Sequence, residues 1–192
     1  MKTDDGNIAW APGDPANGAL TTIAELLRKE KGFSIGVVST VPFTHATPAA
    51  HVSHNKSRNN YTDIANEIIR TIQPEVVIGG GYPGAGGTGK YNHIGKEEYD
   101  LLKNPDPASP YRFVEREPGV DGSVSVLEAA HDAAEQGKKL FGLFGGSGRC
   151  APSIIQQPGR RTAKNLQLIK RGFHVTRKAP DGQEPSPISK SY

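Results

Sequence analysis

The chain has 192 residues and a formal net charge of +3, and its single cysteine and lack of a long apolar run exclude an internal disulfide and a membrane-spanning helix. Residues 1–148 hold 14 basic and 18 acidic side chains, a net charge of −4, whereas residues 149–192 hold 9 and 2, a net charge of +7. We therefore expect a mildly acidic globular part followed by a basic, Pro- and Ser-rich tail that is poorly ordered.

The first predicted elements are a helix and a strand. Thr22 and Glu25 have the spacing of a capping box, and Gly32 stands where that helix would end. The apolar run of residues 33–41 follows, and it is typical of a strand that is buried on both faces. After this strand, Thr47 is predicted to cap a second helix, with Pro48 at its first helical position.

The rest of the chain continues to alternate between helix and strand patterns. We predict helices over residues 61–72, 96–102 and 124–136, and strands or extended segments over residues 75–78, 111–116 and 139–144. This alternation indicates an α/β domain over residues 1–148 with a mainly parallel sheet. Ligands bind at the carboxyl ends of the strands in such sheets, so the segments after Val41 and after Ile78 are the candidate sites.

Residues 44–58 (THATPAAHVSHNKSR) contain side chains that suit phosphate and magnesium. The planar guanidinium of Arg58 can donate two parallel hydrogen bonds to a phosphate and keeps its charge at any working pH. The hydroxyl of Thr47 is a hard oxygen ligand of the kind that Mg²⁺ prefers. On residue types alone a plainer interpretation stays open, in which His51 and His54 are partly exposed helix residues and Arg58 is a solvated charge.

The same segment resembles the alkaline phosphatase family. Residues 45–50 (HATPAA), followed by His54 and Arg58, are similar to the family's segment after the strand that follows its nucleophile helix. Residues 18–40 and residues 74–81 (PEVVIGGG) match the family in order and spacing, and the resemblance covers roughly residues 2–148. It implies a partial alkaline-phosphatase-like α/β sandwich and the hydrolysis of phosphate monoesters.

The resemblance implies roles for three residues. Arg58 would bind two phosphate oxygens, Thr47 would be a direct Mg²⁺ ligand, and His45 would orient water bound to that Mg²⁺ without touching the ion. No role is implied for His51 or His54. The family reaction passes through a phosphoserine with the help of two Zn²⁺ ions. Residues 2–3 (KT) resemble the end of a motif that shortly follows the family's nucleophile, so we expect this chain to lack the nucleophile. We also expect it to lack the Zn²⁺ ligands, because no Asp-x-x-x-His or Asp-His pair of the family kind follows Gly148, and His131-Asp132 has the wrong order and lies on a predicted helix. The chain is therefore expected to be inactive alone.

The resemblance also implies a phosphate monoester substrate, a homodimer, and a location in the periplasm or outside the cell. The first residues of the chain show no apolar core of a signal peptide, so the sequence itself leaves the localisation open. The tail after Gly148 does not resemble the family. It is either an unrelated extension or an out-of-frame reading of the gene.

Two other functions are open to the sequence. Residues 84–90 (GAGGTGK), from Gly84 to Lys90, nearly fit the P-loop of nucleotide-binding proteins, but Tyr91 stands where that motif needs a serine or threonine. The basic tail of residues 149–192 could bind nucleic acid. It holds few aromatic side chains for base stacking, and we therefore do not expect nucleic acid to be a partner.

Overall fold

An α/β arrangement around one parallel sheet makes up the described part of the chain. A computed structural model describes residues 5–11, 18–83, 91–104, 109–117 and 119–145. The P-loop-like residues 84–90 and the tail of residues 149–192 lie outside the described residues. The elements in chain order are α1 (Ile23–Lys31), β1 (Gly36–Pro42), α2 (Ala46–Ala49), α3 (Tyr61–Asn66) continuing as a π-helical segment (Glu67–Ile72), β2 (Val76–Gly80), α4 (Lys96–Lys103), β3 (Tyr111–Glu115), α5 (Gly122–Glu135) and β4 (Lys139–Gly145).

The four strands pair in the order β1-β2-β4-β3, and all three pairings are parallel. The predicted α/β class with a mainly parallel sheet is therefore confirmed. One register row crosses the whole sheet and pairs Val37 with Val77, Val77 with Phe141, and Phe141 with Phe113. Because the strands are parallel, their carboxyl ends lie at one edge, and the loops that follow them meet there.

Helices pack on both faces of the sheet. On one face, Phe141 and Val77 belong to a core that α3, the π-helical segment and α4 complete with Ile64, Ile68 and Leu102. The Phe141 ring lies edge-on to the rings of Phe43 and Tyr111, with centroids 5.2 and 5.4 Å apart. On the other face, Ile78, Leu140 and Phe144 pack against Ala129 and Ala133 of α5.

Helix α1 begins and ends as the sequence predicts. The Thr22 hydroxyl accepts a hydrogen bond from the Glu25 amide (3.2 Å), and the Glu25 carboxylate accepts one from the Thr22 amide (2.8 Å). Gly32 adopts a left-handed conformation with φ 66°, which is typical of a helix C-terminus. The Arg28 guanidinium ties this helix to the main chain of Ile72 and to the Glu75 carboxylate (2.8 Å). No helix in the described ranges is long and apolar enough to cross a membrane.

Two local predictions are wrong. Strand β1 spans Gly36–Pro42 and is not buried on both faces, because it lies at the end of the sheet and Val38 is 62 % exposed. Helix α2 begins at Ala46 after His45, so Thr47 lies inside the helix and does not cap it. Pro48 is accommodated at the third helical position because the first amides of a helix have no acceptor within it.

Candidate functional site

The segment that follows β1 crosses closely over the end of β2. A Cβ atom at Gly79 would lie 3.0 Å from the Phe43 Cβ and 3.1 Å from the Phe43 nitrogen, so only glycine fits without displacing the chain. The Phe43 amide donates a hydrogen bond to the Gly80 carbonyl oxygen (3.2 Å). This contact places residues 44–49 at the carboxyl edge of the sheet, where the sequence predicts a ligand site.

Thr44 and His93 connect two loops at that edge. Thr44 is fully buried, and its hydroxyl oxygen lies 3.0 Å from His93 Nδ1. The His93 ring also packs against Tyr61, with centroids 4.5 Å apart, and a Cβ at Gly81 would come within 3.1 Å of the His93 Cβ. The sequence gives no signal for this pair, because 49 positions separate Thr44 from His93.

His45 and Thr47 lie on the short segment that the Thr44 contact anchors. The His45 carbonyl oxygen accepts the first hydrogen bond of α2, from the Ala49 amide (3.0 Å). Within the described part of the chain, the His45 Nδ1 atom is buried and has no hydrogen-bond partner. The Thr47 side chain is exposed. The start of α2 therefore presents the solvent-exposed hydroxyl of Thr47, and the preceding His45 has an imidazole nitrogen whose hydrogen-bonding capacity the described residues leave unused.

Arg58 lies in the loop after α2, next to the first described residues of the chain. Its amide donates to the Gly6 carbonyl oxygen (2.8 Å), and its Nη1 donates to the Asp5 carbonyl oxygen (3.1 Å). An antiparallel bridge between Ile8 and Asn55 holds the same two segments together. Among the described residues, the guanidinium hydrogen bond goes to Asp5 and not to His45 or Thr47, and it uses one of the five guanidinium N–H donors.

His54, for which the sequence predicts no role, lies within a network of carboxylates. Its Nδ1 lies 2.9 Å from Glu67 Oε1, and its Nε2 lies 3.2 Å from both Glu25 Oε2 and the Leu20 carbonyl oxygen. Glu67 Oε2 also accepts hydrogen bonds from the Ser53 hydroxyl (2.6 Å) and the His54 amide (2.7 Å). His51, by contrast, is exposed.

The network shifts the protonation of both partners. The hydrogen bond to Glu67 raises the pKa of His54, and the charge of Glu25 adds to this effect against the opposing effect of burial. Burial by itself would raise the pKa of Glu67, but the hydrogen bonds from the His54 ring, Ser53 and the His54 amide together hold it below its ordinary value. The arrangement therefore favours an imidazolium that donates to a carboxylate on each side.

The described residues contain no group of three or more histidine, cysteine, aspartate or glutamate side chains that could hold a metal ion. His131 and Asp132 lie on α5, within the helix predicted over residues 124–136. The side chain of Asp132 accepts hydrogen bonds from the Arg112 guanidinium. Among the described residues, the candidate magnesium side chains remain Thr47 in α2 and His45, which directly precedes it.

The fold and the position of these residues define an α/β protein with its candidate ligand-binding residues at the carboxyl edge of a parallel sheet. The sequence model of the family described as "Alkaline phosphatase" matches residues 1–148. The chain belongs to the alkaline phosphatase family, as the resemblance of residues 45–58 predicts.

Curated relatives extend well beyond the matched region. The chain is 27 % identical over 160 residues to the tissue-nonspecific isozyme of alkaline phosphatase from Gallus gallus, a match that covers 72 % of this chain and 28 % of the relative. It is 43 % identical over 58 residues to alkaline phosphatase 4 of Bacillus subtilis, covering 28 % of this chain and 13 % of that one. The matches thus span under a third of the length of these two relatives.

Solved alkaline phosphatases share the fold. A cold-active enzyme from Shewanella sp. superposes with a TM-score of 0.60 at 24 % identity, covering 93 % of this chain and 37 % of that one. The enzyme of the Antarctic bacterium TAB5 superposes with a TM-score of 0.56 at 20 % identity, covering 93 % and 44 %. A histidine-to-aspartate mutant of the TAB5 enzyme with Mg bound in its M3 site also matches, with a TM-score of 0.55. At these identities the likeness shows a common fold.

Proposed function

We propose that this chain contributes the phosphate-binding arginine and part of a magnesium site to the hydrolysis of phosphate monoesters. The observation that carries this proposal is the placement of residues 45–58 in a member of the alkaline phosphatase family. His45 and Thr47 follow β1 directly at the carboxyl edge of the sheet, and Arg58 follows in the next loop. Membership of the family supports the same reaction class, which is that of a phosphomonoester hydrolase.

Arg58 is the phosphate-binding group of the proposal. Its main chain is fixed by the hydrogen bond from its amide to the Gly6 carbonyl oxygen, and one guanidinium N–H donates a hydrogen bond to the Asp5 carbonyl oxygen. The remaining donors of the guanidinium can form a bidentate pair with two oxygens of a phosphate. Because the guanidinium keeps its charge at alkaline pH, it can stabilise both the bound substrate and the charge that develops as the phosphoryl group is transferred.

Thr47 and His45 are the magnesium residues of the proposal. The exposed hydroxyl of Thr47 suits direct ligation, because Mg²⁺ prefers oxygen ligands and keeps several of its waters. The buried His45 Nδ1, which has no partner among the described residues, suits a hydrogen bond to one of these waters. The TAB5 mutant with bound Mg supports a magnesium site in a protein of this fold. A Zn²⁺ requirement, a homodimer and export from the cytoplasm remain predictions from the family resemblance.

We expect little turnover from this chain by itself. Arginine and Mg²⁺ stabilise charge, whereas the family reaction also needs a serine nucleophile and two Zn²⁺ ions. Where only an arginine and Mg²⁺ act, the chemical step is almost unassisted.

The first test measures binding of inorganic phosphate to the full chain in the presence of Mg²⁺. Binding is monitored through the ¹⁵Nε–H signals of the arginine side chains in NMR spectra. Arg58→Ala should abolish the saturable shift, whereas Arg116→Ala, a change at an exposed arginine, should leave it intact. A saturable shift that survives Arg58→Ala would contradict the assignment of Arg58.

Hydrolysis of p-nitrophenyl phosphate at alkaline pH, with Zn²⁺ and Mg²⁺ added, tests the chemical step separately. We expect a rate equal to the blank. Metal-dependent turnover that disappears in Arg58→Ala would show that the chain holds a more complete active site than we propose.

A further inference from the structure

The carboxylate of Glu67 is hydrogen-bonded to residues 53–54, in the segment that leads to Arg58. Glu67 is the first residue of the π-helical segment, and its two oxygens accept three hydrogen bonds from two consecutive residues. Oε2 accepts from the Ser53 hydroxyl and the His54 amide, and Oε1 accepts from His54 Nδ1. Hydrogen bonds to a charged acceptor are roughly twice as strong as those between neutral groups, so this carboxylate fixes both the main chain and the ring at position 54.

The other end of the same segment is fixed from the opposite side. The Asn55 amide and carbonyl exchange 2.8 Å hydrogen bonds with Ile8, and the Arg58 amide donates to Gly6. Inside the segment, the Asn55 side chain accepts from the Ser57 amide (2.9 Å). Residues 53–58 are therefore held between Glu67 on the helix and residues 6–8.

We infer that Glu67 is a positioning residue for phosphate binding by Arg58, acting through Ser53 and His54. This inference rests on the proposed function, since it concerns the site that Arg58 forms. Glu67 does not touch the phosphate. It sets the path of the chain that presents the guanidinium.

His54 connects the Glu67 carboxylate to helix α1. The charged groups that face its ring are Glu67, on one nitrogen, and Glu25, on the other, with the Leu20 carbonyl oxygen beside Glu25. Removal of the Glu67 carboxylate leaves the ring bound only to Glu25 of α1 and to the Leu20 carbonyl oxygen, so these hydrogen bonds would no longer tie residues 53–54 to the π-helical segment. The anchor of residues 53–54 would then be displaced while the Ile8–Asn55 bridge remained.

The experiment compares Glu67→Ala and Glu67→Gln in the full chain, with Glu97→Gln as the matched control. Glu97, like Glu67, is a helical glutamate with a basic partner, in this case Arg70, but its side chain is 83 % exposed. Two quantities are measured: the hydrogen-exchange rate of the Arg58 amide without ligand, and the affinity for inorganic phosphate in the presence of Mg²⁺. A thermal melt of each variant confirms that it is folded, and Glu67→Gln, which keeps the shape of the side chain, serves if Glu67→Ala does not fold.

We expect the Arg58 amide to exchange about tenfold faster in Glu67→Gln, and phosphate affinity to fall by about the same factor, because a hydrogen-bonded charge is lost. Glu97→Gln should change neither quantity. Unchanged exchange and affinity in a folded Glu67 variant would overturn the inference. If the unmodified chain binds no phosphate while Arg58 exchange still rises in Glu67→Gln, the proposed function fails and the positioning of Arg58 by Glu67 stands.

Discussion

Replacement of Thr44 by valine should weaken the fold at the carboxyl edge of the sheet. The two side chains have nearly the same shape, so the change removes a hydroxyl and leaves no cavity. Thr44 is completely buried, and its hydroxyl is within 3.0 Å of His93 Nδ1, which would lose this hydrogen bond.

The expected cost follows from that burial. A hydrogen bond contributes roughly 1 kcal/mol net, and a buried group left without its partner raises the cost to about 1–3 kcal/mol. For a folded unit of this size each kcal/mol lowers the melting temperature by about 2–4 °C. Since native domains are stable by only about 5–15 kcal/mol, the change is large enough to measure.

Urea unfolding provides the assay, with fluorescence of the single tryptophan, Trp10, as the signal and circular dichroism as the second probe. Thr40→Val is the matched control, because it makes the same chemical change at an exposed position of β1. We expect Thr44→Val to lower the midpoint with an unchanged slope, and Thr40→Val to stay within about 0.5 kcal/mol of the unmodified chain. Equal unfolding free energies for the two variants would refute a stabilising role of the Thr44–His93 contact.

Two further predictions concern the hydrogen-bond network of His54 and the exposed face of the edge strand β1. Because the pKa of His54 is raised, its contribution to stability is complete below its ordinary pKa of about 6.5 and is lost as pH rises through the folded value. The lowered pKa of Glu67 gives a contribution that is present above about pH 4.5 and is lost as pH falls through its folded value. Urea midpoints should thus fall as pH rises above about 6.5, and they should fall less in His54→Gln; an equal pH dependence of the midpoint in the two proteins would contradict this. Val38→Lys should reduce binding of a hydrophobic dye, with stability unchanged within about 0.5 kcal/mol, since Val38 is 62 % exposed on β1; undiminished dye binding would point to another surface.

Local signals in the sequence predict most of the elements. The capping residues Thr22 and Glu25 and the terminating Gly32 act within one or two turns of α1, so they can be read without knowledge of the fold. The double burial predicted for β1 fails for a different reason. Valines in an edge strand look the same in sequence as valines in a central strand, and the order β1-β2-β4-β3 is a property of the whole sheet.

The residues of the candidate site also fall into those that the sequence predicts and those that it does not. Arg58, Thr47 and His45 stand in a contiguous pattern that resembles a known family, and the family is confirmed, although their individual roles stay predictions. The contacts of His54 with Glu67 and of Thr44 with His93 could not be predicted, because their partners are brought together by the packing of α3 and of the loop after β2. No spacing rule links polar residues across such distances in the chain.

The run of three glycines at the end of β2, residues 79–81, shows that a glycine-rich segment need not be flexible. Gly79, Gly80 and Gly81 are all buried, and Phe43 and His93 lie within about 3 Å of where side chains at Gly79 and Gly81 would begin. At Gly79 the missing side chain makes room for the backbone of Phe43, and at Gly81 it makes room for the His93 side chain, so this part of the chain is a contact surface between loops. In a random mutagenesis experiment we therefore expect the protein to tolerate substitutions at these glycines poorly, much as it would at a large aromatic residue of the core.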